Sequence, residues 1–134
     1  VKIMSDLKFD NKQQDRRFFS IAKRRLIEAT KNSIVGLASC FKHEEAFRIQ
    51  VAIAVIALPS IYWVAENVIE GLLLFFVIAL LLITELLNSA LEATVDRIGL
   101  DYHELSKRAK DIASAAVFFA ILLAAITWLT LIIT

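Results

Sequence analysis

The stretch Glu85–Gly99, ELLNSALEATVDRIG, decides how this chain is read. It closes a long apolar run, yet it carries Glu85, Asn88, Glu92 and Asp96. At about 100° per residue on a helix these four fall near 0°, 300°, 340° and 20°, so they make one polar stripe about 80° wide. Leu86, Leu87, Ala90, Leu91, Ala93, Thr94 and Val95 cover the other faces. Immediately upstream, residues 71–84 carry no charge, so the stripe runs from a membrane border into the membrane. A carboxylate at mid-helix there costs roughly 2.5–3.5 kcal/mol on insertion scales. Three carboxylates and an amide at that cost point to function.

Composition supports the membrane setting. Apolar residues make up 58% of the 134-residue chain, and the mean hydropathy is +0.66, well above the soluble norm. One proline and three glycines leave long stretches free for helix. The net charge of +1 says little, but the basic residues crowd into the segment ending at Arg48 and reappear only at Arg97, Lys107, Arg108 and Lys110. That pattern belongs to membrane topology and gives no reason to expect a nucleic-acid partner. A single cysteine, Cys40, excludes an internal disulfide.

Outward from the stripe, the chain divides into a polar cytosolic tail (1–15), an amphipathic surface helix (16–43) and a three-span transmembrane region (44–134). In the surface helix Phe19, Ala22, Leu26, Ala29, Ile34, Leu37 and Phe41 gather on one side, opposite a basic face with Arg24, Arg25, Lys31 and Lys42. Such a helix lies in the headgroup plane or packs on its own spans. The spans are placed at about 46–65, 68–98 and 111–134, with a polar loop over 100–110. Arg48 and Gln50 sit near the start of the first span, where a long side chain snorkels. By the positive-inside rule the N-terminus and the Asp101 region face the cytoplasm, and the C-terminus faces out. The expected fold class is an all-α membrane protein. Small residues at Ser89, Ala90, Ala93 and residues 113–116 favour close helix contacts, so a homo-oligomer is expected.

On the cytoplasmic side, the acids Glu44, Glu92, Asp96 and Asp101 stand near basic residues, a combination that suits a metal-bridged polyphosphate. Glu85 lies about 10.5 Å deeper than Glu92 along the axis, where a general base meets only a substrate that itself sits in the bilayer. Three glycines cannot build a phosphate-binding loop, so any nucleotide site must come from side chains on helices. Other readings of the stripe are polar contacts between helices and a proton relay in a small oligomeric transporter that uses Glu85 for coupling.

The run ELLNSALEATVDRIGLDYHELSKRAKDIASAAV (Glu85–Val117), with EEAFRIQ at Glu44–Gln50, resembles the small bacterial integral-membrane diacylglycerol kinases over about residues 25–130. The resemblance implies three transmembrane helices plus a surface helix, a homotrimer in the inner membrane, and Mg·ATP-dependent conversion of diacylglycerol to phosphatidic acid. By motif, Glu85 looks like the catalytic base, with Asn88 orienting it and Asp96 contributing to catalysis. Glu44 and Glu92 look like the metal–nucleotide carboxylates. Arg25, Asp101, Tyr102, His103, Lys110 and Asp111 would join them on ATP, and Arg25, Arg48, Trp63 and Ser114 would line the lipid site. Undecaprenol kinase, a sibling of the same fold, shares part of the pattern; the RIGLDYHELS segment looks like the diacylglycerol type. In the surface helix Asn32 stands where better-known members carry Tyr, and Val35 and Ala38 stand in place of basic residues.

Overall fold

The structure, a computed structural model, describes residues 2–133, with side chains from Arg17 onward. Its elements are α1 (Lys2–His43), α2 (Glu45–Val64), α3 (Val68–Ile98) and α4 (Glu104–Ile133). The chain forms two compact units, Val1–Ser39 and Cys40–Thr134.

The first unit is helical from Lys2, fourteen residues earlier than the amphipathic period indicates. The physical reason is the absence of a breaker: no glycine or proline occurs before Gly36. The side chains of the expected tail lie outside the described residues. From Arg17 on, the apolar positions Phe19, Leu26 and Ile34 stand exposed, and Arg24 and Glu28 approach to 3.9 Å one turn apart.

In the second unit the chain breaks at Glu44, whose backbone is extended (φ −105°, ψ 115°). Arg48 lies on the first turn of α2 and turns back: its Nη1 donates to the carbonyl oxygens of Phe41 and Lys42 at 3.3 and 3.2 Å. Those carbonyls are among the last of α1 and lack intrahelical partners, and a cation is favourable at that end of the helix dipole. Arg48 therefore caps α1.

The turn between α2 and α3 closes on itself. Asn67 Oδ1 accepts from the backbone of Ile69 and Glu70, Asn67 Nδ2 donates to Glu70 Oε1, and Glu66 N donates to Glu70 Oε2. Asn67 thus caps the first turn of α3, while Glu70 reaches back to the N–H of the residue before the cap and to the Asn67 amide, a variant of the capping box. α3 then runs 31 residues, about 46 Å at 1.5 Å per residue, over the range that the hydropathy indicates.

α3 is the central element and packs against both α2 and α4. Leu74, Val77 and Ile78 form its buried face, with Leu74 fully enclosed. Glu85 falls on the same face at helical spacing, so the polar stripe continues the line of the apolar core.

α4 begins at Glu104, seven residues before the expected third span. Only Gly99–His103 is loop; residues 104–110 are the first two turns of the helix. Their charges had indicated a loop, but a helix leaving a bilayer needs no apolar residues outside it. His103 Nδ1 accepts from Leu105 N at 3.2 Å, and Lys107 pairs with Asp111 at 2.6 Å along the helix. Asp111 thus lies two turns inside α4.

α2, α3 and α4 are each long and apolar enough to cross a membrane. Their outer faces carry exposed Ile53, Ile56, Phe75, Phe76, Phe118 and Phe119. Such surfaces belong against lipid or other apolar helices.

Candidate active site

Glu85 is only 4% exposed. A buried carboxylate is costly unless its oxygens are bonded, and here α2 supplies the partner: Gln50 Nε2 donates to Glu85 Oε2 at 2.7 Å. A hydrogen bond to a charged group contributes roughly 1.5–3 kcal/mol, enough to offset part of that cost. Gln50 is itself buried, at 7% exposure; it does not snorkel. Sequence reasoning passed over it as a site residue, although an amide flanked by Ile49 and Val51 in an apolar span was itself the signal.

One turn along α3, Asn88 Nδ2 donates to Glu92 Oε1 at 3.0 Å. Asn88 Oδ1 is buried and has no hydrogen-bond partner among the described residues, and the same holds for Gln50 Oε1. Beside this group Cys40 Sγ lies 3.5 Å from Ser89 Oγ, joining the end of α1 to α3.

At the end of the stripe Asp96 Oδ1 receives Lys110 Nζ at 2.5 Å, an ion pair between α3 and α4. The charge of Glu92 also acts on Lys110. Lys110, Asp96 and Glu92 therefore form one charged cluster, half open to solvent, between the last turns of α3 and the start of α4. Beyond it Asp101, Tyr102 and His103 help line an open concavity of about 450 Å³ with Ile98, Gly99, Leu105 and Ser106. His103 spends one ring nitrogen on the α4 N-terminus.

The remaining expected residues are less gathered. Glu44 is half-buried at the α1–α2 break and makes no side-chain cap bond. Ser114 is exposed one turn past Lys110 on α4. Trp63, 76% exposed and edge-on to Tyr62, stands thirteen residues from Gln50, about 20 Å along α2. The structure does not bring Trp63 to Glu85. Arg25 is exposed on α1 within the first unit.

Three membrane-length helices, a buried carboxylate bonded by an amide, and an ion pair between α3 and α4 define an integral-membrane helical bundle with a polar interior. Residues 31–132 match the family model of prokaryotic diacylglycerol kinase. The chain is 48% identical over 103 residues to the diacylglycerol kinase of Haemophilus influenzae, covering 77% of this chain and 87% of that one. It is 46% identical over 104 residues to that of Escherichia coli (78% and 85%), and 43% identical over 110 residues to that of Pseudomonas aeruginosa (82% and 89%). The chain belongs to the prokaryotic diacylglycerol kinase family.

Proposed function

We propose that this chain transfers the γ-phosphate of ATP to the free hydroxyl of diacylglycerol, giving phosphatidic acid and ADP, with Glu85 as general base. The observation that carries the reading is the buried Gln50–Glu85 pair within a membrane-length bundle. A base so placed is within reach of a lipid hydroxyl at the bilayer edge and remote from bulk water. In the reaction the hydroxyl oxygen attacks the γ-phosphorus, the bond from that phosphorus to the bridging oxygen of ADP breaks, and the hydroxyl proton passes to Glu85. Lys110, held by Asp96, supplies positive charge to the phosphates. The concavity at Asp101–His103 offers room for the rest of the nucleotide.

A divalent cation fits the donor set. Among the described residues no three His, Cys, Asp or Glu side chains converge as a cage. Glu92 is an oxygen donor, and the neighbouring buried Asn88 Oδ1 lacks a partner. Mg²⁺ takes one or two protein carboxylates and completes its shell with phosphate oxygens and water. Glu92 and Glu44 would hold an ion that arrives on ATP, and the ion would neutralise phosphate charge during transfer.

The exposed apolar faces of α2 and α4 support assembly with further copies, a trimer in this reading, in the bacterial inner membrane. The excess of Lys and Arg supports a cytoplasmic N-terminus and α3–α4 loop, and an outward C-terminus.

The test is the purified protein in mixed micelles with Mg·ATP labelled at the γ-phosphate, offered diacylglycerol or undecaprenol. Label in phosphatidic acid is expected. Label in the polyprenol alone, or in neither lipid, overturns the proposal.

A further inference from the structure

We infer that Gln50 is a positioning residue for the reaction: its side-chain amide holds Glu85 Oε2 and thereby assigns proton acceptance to Glu85 Oε1. The inference rests on the reading of Glu85 as the base.

Four observations lead to it. Gln50 and Glu85 lie on different helices, 35 positions apart, and meet at 2.7 Å. Both are more than nine-tenths buried. The amide stands donor to acceptor, Nε2 against Oε2; reversed, Gln50 Oε1 would set one acceptor against another. Finally, Gln50 Oε1 has no partner among the described residues.

An amide kept for packing alone has both ends satisfied. This one is bonded at one end, and that bond goes to the carboxylate. An apolar residue at position 50 would be buried more cheaply. What the glutamine adds is a fixed carboxylate with one oxygen engaged as acceptor. Because Nε2–H donates to Oε2, the proton taken from the substrate hydroxyl goes to Oε1, and the plane of the carboxylate is set before the lipid arrives. Holding a base within a fraction of an ångström of its working position is worth up to about 10²-fold in rate.

Charged side chains on the elements packed against α3 are engaged elsewhere or exposed. Arg48 donates to the carbonyls of Phe41 and Lys42. Lys107 pairs with Asp111 and Lys110 with Asp96. Glu45, Glu104 and Arg108 are exposed, and so is Tyr62. On α3 itself Glu92 is bonded by Asn88, Glu70 caps the far end and Arg97 is exposed. Cys40 lies against Ser89. Gln50 is thus the polar partner of Glu85 among the described residues.

The experiment compares full-length wild type, Gln50→Leu, Gln50→Glu and Glu85→Gln in mixed micelles, with elution volume as the check on assembly. For Gln50→Leu, kcat is expected to fall about 10- to 100-fold while the KM values for lipid and ATP stay within about twofold of wild type. In Gln50→Glu two carboxylates meet, and like charges in contact cannot both stay ionised. The pair keeps one proton, and its protonated member donates as the amide does. Turnover therefore survives at neutral pH and declines at alkaline pH relative to wild type, whose amide does not titrate. Wild-type kcat in Gln50→Leu, with Glu85→Gln inactive, overturns the role of Gln50 and leaves the base intact. Equal inactivity of Gln50→Leu and Gln50→Glu at every pH also overturns it, since the loss would then be structural. Retained turnover in Glu85→Gln removes the base itself.

Discussion

Lys110 and Asp96 meet at 2.5 Å across the α3–α4 contact, fourteen positions apart, and this pair fixes where a cation stands at the end of the polar stripe. A lysine on a free surface samples many rotamers, whereas this one is directed to the side of α3 that carries Glu92 and Asn88.

Loss of the carboxylate should therefore show in nucleotide handling more than in folding. Asp96→Asn is expected to raise the KM for ATP several-fold, with a small change in thermal stability, because a solvent-screened ion pair contributes little to folding. Initial rates against ATP concentration check this. An unchanged KM for ATP would show that Lys110 needs no guide.

Glu85→Gln replaces the base by an isosteric amide. Turnover is expected to drop by about 10²- to 10⁴-fold, with the oligomer intact on size exclusion. Near-normal kcat in that variant would sink Glu85 as the proton acceptor.

For Glu92→Gln and Glu44→Gln, the expected change is in the Mg²⁺ titration: each should need more metal for half-maximal rate, as carboxylates that share an ion with phosphates do. A titration that overlays wild type takes the residue out of the metal site. The two carboxylates can be judged separately.

Arg48→Met keeps the apolar stem of the side chain and deletes its donors. The carbonyls of Phe41 and Lys42 then lose their cap, at a cost of about 1 kcal/mol, so thermal inactivation in detergent should come at lower temperature while the KM for lipid holds. A raised KM for lipid at unchanged stability would instead make Arg48 a substrate contact.

What could be read from the chain beforehand follows from which forces act locally. The bounds of α3 are set by charge and hydropathy together with Asn67, an N-cap residue by type, and the expected and observed ranges agree. α4 starts early because Glu104, Leu105, Lys107, Arg108 and Ala109 are good helix formers by type, and Lys107 pairs along the helix with Asp111. The roles of Gln50 and Arg48 depend on which atoms of another element lie opposite them, and spacing along one helix does not carry that information. Periodicity was enough to align Glu85, Asn88, Glu92 and Asp96. It could not tell that Asp96 answers to Lys110 while Glu85 answers to α2.

The Asn67–Glu70 turn has a consequence for biogenesis. All of its side-chain hydrogen bonds lie within residues 66–70, so they can form as soon as that segment leaves the ribosome and borrow nothing from α4. The first two crossings can enter the bilayer as a ready-made hairpin while the third is still being translated. A chain halted after Gly99 is accordingly expected to insert with both ends on one side, and a cysteine placed at position 66 should be labelled only from the other.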